Sequence, residues 1–476
     1  METNQDVILY GAPRKPSVIH HLHAGPVSVK FQDGELRYLY VGEKEIIRRV
    51  YFGVRDSRWD TVMPELSEID VQQTDTYFEI SFDAVCTNDN ADYSWHGEIY
   101  GSADGTIIFT AEGAPNADFD SPRIGINILY GSGSLAGQAF ELLDGEGAVT
   151  TGIFPVYVSD DLLSDCNSFQ ILRYTTGDGK TVSAGLDTMC IGMEDQRNYG
   201  DSSYKAFSSM SYDYPIARKG ERLSQIFTLQ IENVSALKRP AETIQAVIGN
   251  PITGTKMPIL MPPGTTTKGD FQTYNHEPQK YADTEFFILP YNPAAHMPDD
   301  DTFTENIPTI LDWVRTIRTF APKARFRFDP IDIDSPYPRA GKDPRNDGLF
   351  AASWCARVVK YLALGGVDEA AFRLDSGYAA AILRRFIPFA GRPVLEVDVS
   401  PGTPSPIDMM AVEDDDVEII IWLMNLTDQL QMVSICGLHN VRLRYFASTG
   451  EKPNSPLDPA TIALKPFEVL ELSAER

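Results

Sequence analysis

Through the first half of the chain, apolar and polar residues alternate in short runs, and turn residues separate these runs. Between residues 18 and about 235, segments such as VSVKF, YFEISFDAV and GTIIFTAEG are interrupted by QDGE, CTNDNAD and SADG. Alternation with a period of two, bounded by Asp-Gly and Asn-Asp turns, is typical of consecutive antiparallel strands. Roughly 200 residues of such strands exceed what an immunoglobulin-sized sandwich of about 100 residues needs. We therefore predict an N-terminal β-supersandwich over residues 1–238.

The pattern changes near Lys238, where strand-like and helix-like segments begin to alternate. EFFILPYNP (285–293) and KARFRFDPI indicate strands, TENIPTILDWVRTIRTFAP (304–322) indicates a helix with Thr304 as its N-cap, and GLFAASWCARVVKYLALGG (348–366) indicates another helix. This order predicts parallel βα units. A complete (β/α)₈ barrel takes about 250 residues, but only roughly 150 residues separate Pro240 from Pro401. We therefore predict a reduced (β/α) barrel-like domain over residues 239–400.

Short strands return after residue 400. The segments VEIIIWLMNL, QMVSICGL, VRLRYFAS and FEVLELS are apolar and short, and loops separate them. They predict a C-terminal β-sandwich over residues 401–476. The predicted fold class is therefore multidomain, β plus α/β, with three domains at 1–238, 239–400 and 401–476.

The net charge of the chain limits its expected binding partners, and its cysteines indicate the cellular compartment. Lys and Arg total 41 against 67 Asp and Glu, for a net charge of -26. Such a chain repels nucleic acid and anionic membrane surfaces, so neither is expected as a partner. The five cysteines form no CxxC pair, which is typical of a reducing compartment. Because METNQDVILYGAP lacks the features of a signal peptide, we expect a cytoplasmic protein, and homo-oligomerisation is left open.

The main candidate site is the charged segment IGMEDQRNYGDSSYKAF at residues 191–207. If its strand continues through Asn198, one face carries Glu194, Gln196 and Asn198, while Asp195 and Arg197 share the other. One face would then offer a carboxylate and amides to a polyol, and the other an Asp–Arg pair. The alternative is a structural ion-pair cluster between the sandwich and the α/β domain. Lys205 is a further polar candidate in this segment.

Four residues outside this segment are weaker candidates. Arg55 and Trp59 lie in RRVYFGVRDSRW, where a core role for the tryptophan is the alternative. His296 follows a predicted barrel strand, and Asp375 ends another, at the end of the sheet where barrel enzymes carry their chemistry. A structural role is the alternative for both. No GxSxG, HExxH or clustered Cys/His motif is present, so we expect no serine nucleophile, metal or cofactor.

Several segments resemble the D-apionate lactonase family. They are AGPVSVKFQDGELRYLYVGEKEIIRRVYFGVRDSRWDT (24–61), MEDQRNYGDSSYKAF (193–207), FILPYNPAAHMPDDDTFTENIPTI and DGLFAASWCARVVKYLALGGVD. The resemblance implies a carboxylic-ester hydrolase that converts D-apionolactone to D-apionate in bacterial apiose catabolism, with a sugar lactone as its small-molecule partner. At one position the family has Glu where this chain has Asp375, which retracts the carboxylate by about one methylene.

The roles that we assign follow from what lactone opening requires, namely a base for water and a group that polarises the carbonyl. Glu194 is the predicted base, and Arg197 is the predicted polariser, oriented by Asp195. The predicted substrate-binding residues are Asn198, Lys205, Arg55, Trp59, His296 and Asp375. Two alternatives remain. A glycoside hydrolase would need carboxylates about 5 to 9.5 Å apart, for which Glu194 and Asp375 are the pair to measure. The shortened barrel also suits a non-catalytic carbohydrate-binding relative.

Overall fold

The structure is a computed structural model. It describes residues 2–15, 17–160, 163, 168–190, 192–208, 216–234, 244–264, 269–294, 297–334, 342–374, 376–400, 405–414 and 418–475. The chain forms two compact units. The N-terminal unit contains Pro16–Gln196 and Ser203–Arg239, and the C-terminal unit contains Met1–Lys15, Arg197–Ser202 and Pro240–Arg476.

The N-terminal unit contains two large antiparallel sheets. In spatial order, the strands of the seven-stranded sheet are Ile19–Ala24, Val27–Gln32, Glu35–Val41, Lys44–Val54, Ile124–Gly131, Ser203–Phe207 and Gly192–Asp195. The strands of the nine-stranded sheet are Val149–Ile153, Ala139–Leu143, Phe169–Thr175, Thr181–Cys190, Leu223–Ile231, Thr106–Pro115, Ala91–Ser102, Tyr77–Asn88 and Glu65–Gln73. A two-stranded ribbon, Phe119–Asp120 with Ile216–Ala217, and the short helix Ser132–Leu135 complete the described elements of this unit.

One apolar core lies between the two sheets. The strand Tyr77–Asn88 buries every second residue, including Phe78, Ile80 and Phe82, which join residues of the seven-stranded sheet such as Phe31 in a single cluster. This is the expected packing of sheets that each bury one face, since side chains alternate along a strand. The β-rich character predicted for this half of the chain is confirmed.

The C-terminal unit contains a parallel sheet that has four strands in the described part of the chain. In spatial order they are Ile259–Leu260, Glu369–Phe372, Arg325–Ile331 and Phe286–Tyr291. The described helices of this unit are Glu2–Tyr10, Phe271–His276, Asp300–Glu305, Thr309–Phe320, Leu349–Leu364 and Gly377–Phe386, with 3₁₀ turns at Pro278–Tyr281, Pro344–Asp347 and Ile387–Phe389. The 3₁₀ turn Gln196–Tyr199 begins at the last residue of an N-terminal-unit segment and continues into the C-terminal unit. The strands and helices alternate along the chain, as predicted.

The helix predicted at residues 304–322 is two helices. The first is Asp300–Glu305, and its N-cap is Asp299, whose Oδ1 accepts a hydrogen bond from the Thr302 N–H at 2.9 Å. The second helix begins at Thr309, directly after Pro308. Proline has no N–H to donate and its ring clashes with the carbonyl four residues earlier, so it interrupts a continuous helix. The prediction that Thr304 is the N-cap is therefore wrong.

Two further sheets of the C-terminal unit share one core and form a sandwich. Their strands are Leu395–Ser400, Ile244–Pro251, Gln431–Cys436 and Ile462–Leu464 in one sheet, and Ile407–Glu413, Glu418–Asn425, Val469–Glu475, His439–Phe446 and Ser455–Pro456 in the other. Two of these strands come from residues 239–400. The predicted boundaries at 238/239 and 400/401 touch segments outside the described residues, and the three-domain division stays a prediction.

No helix in the described ranges has both the length and the apolar character to cross a membrane.

Candidate functional site

The strand in the charged segment ends earlier than the sequence predicted. Gly192–Asp195 is a strand, and Gln196–Tyr199 is a 3₁₀ turn. The Gly200 N–H donates to the Arg197 carbonyl at 3.2 Å, and Gly200 has a φ of +85°, which glycine adopts without a Cβ clash. The strand therefore does not continue through Asn198, and the predicted sharing of faces by these residues is wrong. The reason is that Arg197–Ser202 leaves the sheet and belongs to the C-terminal unit.

Glu194 and Lys205 form an ion pair on the seven-stranded sheet. They are direct cross-strand neighbours, and the Lys205 Nζ lies 3.0 Å from the Glu194 Oε2. The Arg123 Nη2 lies 3.3 Å from the other carboxylate oxygen. Gln196 connects the pair, because its Nε2 donates to Glu194 at 2.7 Å and its Oε1 accepts from Lys205 at 3.2 Å. Both oxygens of Glu194 therefore have hydrogen-bond donors within the N-terminal unit.

The environment of this pair favours the ionised carboxylate. Burial acts to raise the pKa of Glu194, but Lys205 and Arg123 outweigh it, and the pKa lies below its usual range. Burial lowers the pKa of Lys205, and the nearby Arg55 and Arg123 act in the same direction, whereas Glu194 opposes them. A carboxylate whose pKa is lowered is a weaker base for water than an ordinary one.

Arg55 and Trp59 lie beside this pair. The Arg55 Nη1 donates to the Trp59 carbonyl at 2.7 Å, and the Arg123 guanidinium lies 5.6 Å from the centre of the Trp59 ring. Arg123 also lies 3.8 Å from the centre of the Phe207 ring. Sequence reasoning missed Arg123. Its only local signal is its position before an apolar strand, and nothing local reveals that this strand lies between Lys44–Val54 and Ser203–Phe207.

Arg197 is buried inside the C-terminal unit. Its side chain has no exposed surface, and its Nη1 lies 3.6 Å from the Asp312 Oδ1. Its carbonyl accepts a hydrogen bond of 2.6 Å from the Trp313 Nε1. Both partners belong to the helix Thr309–Phe320. This geometry anchors the segment Arg197–Ser202 and leaves the guanidinium away from solvent.

The next residues of the segment are held in the same way. Asn198 accepts a hydrogen bond from the Asn275 Nδ2 at 2.9 Å. The Ser202 N–H donates to the Asn306 Oδ1 at 3.0 Å. Asp195 belongs to the N-terminal unit, where its Oδ2 accepts from the Ser159 N–H at 2.9 Å. The predicted catalytic residues are thus divided between the two units.

A second polar group lies at the carboxyl ends of three parallel strands. Asn292 follows Phe286–Tyr291, Asp332 follows Arg325–Ile331, and Arg373 follows Glu369–Phe372. The Asn292 Nδ2 donates to the Asp332 Oδ1 at 2.8 Å, and the Arg373 Nη1 lies 3.3 Å from the Asp332 Oδ2. This end of a parallel sheet is where α/β enzymes bind their ligands.

The carboxyl group of Asp332 has an unusual environment. Burial raises its pKa, and the nearby Asp334 acts in the same direction, whereas Asn292 and Arg373 oppose both. Its side chain remains 14% exposed, and that of Arg373 is 54% exposed. Asp332 is therefore a partly accessible carboxylate of increased basicity beside an accessible cation. The sequence signal for it was the DPIDID segment directly after a predicted strand.

His296 and Asp375 lie outside the described residues, so their predicted roles, and the distance between Glu194 and Asp375, stay untested. In chain order, His296 comes four residues after Asn292, and Asp375 two residues after Arg373. Within the described ranges, no group of three or more His, Cys, Asp or Glu side chains is arranged to hold a metal ion.

The comparisons with known proteins agree with the division of the fold into β and α/β parts. Residues 7–234 match the family model of the N-terminal domain of D-apionate lactonase, and residues 261–385 match the model of its TIM barrel domain. The chain belongs to the D-apionate lactonase family. A D-apionate lactonase of Brucella anthropi is 27% identical over 263 residues, which are 53% of this chain and 42% of that protein. The match therefore spans less than half of the relative.

Solved structures show only distant likeness. A Paenibacillus polymyxa xyloglucanase of glycoside hydrolase family 44 is 10% identical with a TM-score of 0.31, over 40% of this chain and 46% of that chain. A GalM/aldose epimerase homologue from C. elegans is 8% identical with a TM-score of 0.29, over 47% of this chain and 100% of that chain. At these TM-scores, neither structure supports a conclusion about this protein.

Proposed function

We propose that the protein hydrolyses a sugar lactone, with D-apionolactone as substrate and D-apionate as product. Family membership supports the reaction class and the substrate. The observation that carries the proposal is Asp332, a carboxyl group with a raised pKa beside Arg373 at the carboxyl end of the parallel sheet. Lactone opening needs a base and a cationic or hydrogen-bonding group for the oxyanion, and these two side chains have the required chemistry.

In the proposed reaction, Asp332 accepts a proton from water while the water oxygen attacks the lactone carbonyl. The Arg373 guanidinium stabilises the negative oxygen of the tetrahedral intermediate. The bond between the carbonyl carbon and the ring oxygen then breaks, and the ring oxygen takes up a proton from Asp332. The product is the open-chain acid, which ionises at neutral pH. Asn292 is a positioning residue, because its hydrogen bond of 2.8 Å orients Asp332.

Asp332 and Arg373 suit these roles better than the residues predicted from sequence. The predicted base, Glu194, has a lowered pKa, and both of its oxygens accept hydrogen bonds. The predicted polariser, Arg197, has no exposed side-chain surface. A group that stabilises an oxyanion must reach the substrate, so a fully buried guanidinium cannot serve without rearrangement. We therefore assign Glu194 and Arg197 no step in the proposed reaction.

The test is to incubate the purified protein with D-apionolactone at constant pH and titrate the acid that is released. Spontaneous hydrolysis under the same conditions sets the background rate. D-glucono-1,5-lactone, which is unbranched, serves as the comparison substrate. We expect release of acid well above background, and faster with the branched lactone. Release at the background rate, or release of phenol from a synthetic aryl glycoside instead, would overturn the proposal.

A further inference from the structure

Three cationic side chains lie close together in the N-terminal unit, and one of them, Arg55, forms no ion pair among the described residues. Arg55 is 6% exposed, Lys205 is 3% exposed, and the Arg123 side chain is 12% exposed. Arg55 and Arg123 are close enough to Lys205 to act on its pKa, which both of them lower. Glu194 is the carboxylate that pairs with two of them. Burying a charge without a close ion pair is costly, so this cluster, which we call the Arg55–Arg123–Lys205 cluster, favours the binding of a further anion.

Arg55 is the member of the cluster that forms no ion pair in the described part of the chain. Among the described residues, its guanidinium donates to the Trp59 carbonyl and makes no ion pair. Burial raises the pKa of Asp60, and Arg55 is close enough to oppose that rise, but no hydrogen bond or ion pair joins the two side chains in the described part of the chain. Asp56 accepts hydrogen bonds from the Arg58 and Asp60 N–H groups. Arg55 therefore retains donors for a ligand.

An unsatisfied acceptor lies on the same face of the sheet. Asn127 is the direct cross-strand neighbour of both Phe207 and Tyr51, and it is 3% exposed. Its Nδ2 donates to the Gly125 carbonyl at 3.0 Å, but its Oδ1 is buried and has no hydrogen-bond partner in the described part of the chain. Buried polar atoms normally have partners, so an unpaired amide oxygen indicates a missing donor such as a hydroxyl group.

Trp59 provides an exposed aromatic surface beside these polar groups. It is 52% exposed, and its φ of +68° is a conformation that tryptophan rarely adopts. The hydrogen bond from Arg55 to its carbonyl helps to hold this conformation. Residues held in such conformations concentrate at ligand sites. An exposed tryptophan ring is also a suitable surface for the apolar face of a sugar.

We propose that the Arg55–Arg123–Lys205 cluster, with Trp59 and Asn127, is a binding site for a small polyhydroxylated carboxylate, that is, a sugar acid. The cations bind the carboxylate, the tryptophan ring packs against the carbon chain, and the Asn127 oxygen accepts a hydroxyl hydrogen bond. The chain as a whole carries a net charge of -26, so attraction to an anion must come from local contacts. This site requires no assumption about the hydrolytic reaction.

The experiment is isothermal titration calorimetry on the full chain at neutral pH and low salt, with D-gluconate as the probe. Acetate supplies the charge without hydroxyl groups, D-glucose supplies hydroxyl groups without charge, and sulfate tests for non-specific anion binding. We expect D-gluconate to bind at least about tenfold more tightly than any of the three. Higher salt should weaken this binding, because charge contributes to it.

Variants distinguish a binding site from a structural cluster. Arg55→Met should weaken D-gluconate binding about tenfold or more, and Arg55→Lys should restore part of it. Trp59→Ala should weaken binding of D-gluconate but leave binding of acetate unchanged. Arg58→Met is the matched control, since Arg58 is 40% exposed in the same turn, and it should bind as the unaltered protein does. Circular dichroism checks that each variant is folded.

Three results would overturn the inference: no binding of D-gluconate, equal binding of D-gluconate, acetate and sulfate, or equal losses in Arg55→Met and Arg58→Met. The Asp332→Asn variant separates this site from the proposed reaction, because it should lose hydrolysis and keep D-gluconate binding. Loss of both together in a folded protein would show that the two proposals do not describe separate sites.

Discussion

Glu194 and Lys205 lie directly opposite each other on neighbouring antiparallel strands, with their charged groups 3.0 Å apart. They account for part of the dense charge in residues 191–207, and Arg123 and Gln196 bond to them. Other charged residues of this segment have different contacts. Arg197 and its neighbours are bonded inside the C-terminal unit, so one short segment supplies residues to both units.

The attraction between the Glu194 and Lys205 side chains should stabilise the folded protein. We expect Lys205→Met to lower the free energy of unfolding by about 3 kcal/mol, the lower end of the range for a broken buried pair, since Arg123 still pairs with the carboxylate. Glu194→Gln combined with Lys205→Met should cost less than the sum of the single changes, with a coupling of about 1 to 3 kcal/mol. Urea unfolding of the four proteins measures this. Strict additivity would contradict the pairing.

The same carboxylate should make stability depend on acid pH. Because the pKa of Glu194 is lower in the folded state, its contribution is fully present above the unfolded pKa of about 4.3 and is lost as pH falls through the folded value. Below pH 4.3, the free energy of unfolding should therefore fall more steeply for the unaltered protein than for Glu194→Gln. Urea unfolding at a series of acid pH values measures both slopes, and equal slopes would be inconsistent with the lowered pKa.

Trp313 should stabilise the C-terminal unit through its hydrogen bond to Arg197. Trp313→Phe removes the donor that lies 2.6 Å from the Arg197 carbonyl but can keep the stacking on Phe271, whose ring lies 4.9 Å away. We expect the free energy of unfolding to fall by about 1 to 3 kcal/mol. Trp59→Phe is the control, since that ring is exposed, and it should change stability by at most about 0.5 kcal/mol. Similar losses in the two variants would argue against a specific role for the hydrogen bond.

Gly200 should be required for its backbone conformation. A Cβ at this position would make only ordinary contacts, the nearest at 3.6 Å, so any loss in Gly200→Ala must come from the φ of +85°. We expect that substitution to cost about 1 to 2 kcal/mol. Gly133→Ala is the matched control, because no atom lies within 4 Å of the added methyl group and the residue is helical, so no loss is expected. Thermal unfolding compares the two, and an unaffected Gly200→Ala would contradict the conformational argument.

Local patterns predicted the elements well, and long-range contacts explain what they missed. The alternation of Tyr77–Asn88 and the apolar run Glu418–Asn425 are readable from sequence because one strand face, or both, is buried. The end of the strand at Asp195 cannot be predicted from local sequence, because it depends on Asp312 and Trp313, which are more than 100 residues away. The interruption at Pro308 was readable, since a proline stood inside the predicted helix.

In the candidate site, too, some features can be read from local sequence and others depend on long-range contacts. Arg55, Trp59, Glu194 and Lys205 come from two segments whose dense charge is readable from the sequence, and their role as site residues stays a prediction. Arg123 was missed, since only the order of strands in the sheet brings it to Glu194. Asp332 was missed for a related reason: its partners Asn292 and Arg373 follow other strands of the parallel sheet.

The most direct test compares Asp332→Asn with Asp368→Asn for hydrolysis of D-apionolactone at constant pH. Both carboxylates have side chains that are 14% exposed, but Asp368 precedes a strand of the parallel sheet, whereas Asp332 follows one. Loss of the base should lower kcat/KM about 10²- to 10⁴-fold in Asp332→Asn. Asp368→Asn should retain most of kcat/KM, because Asp368 lies at the opposite end of the parallel sheet from Asp332. For the unaltered protein, kcat/KM should rise with pH through a pKa above the usual aspartate range. Full activity in a folded Asp332→Asn, or equal losses in the two variants, would contradict the proposed base.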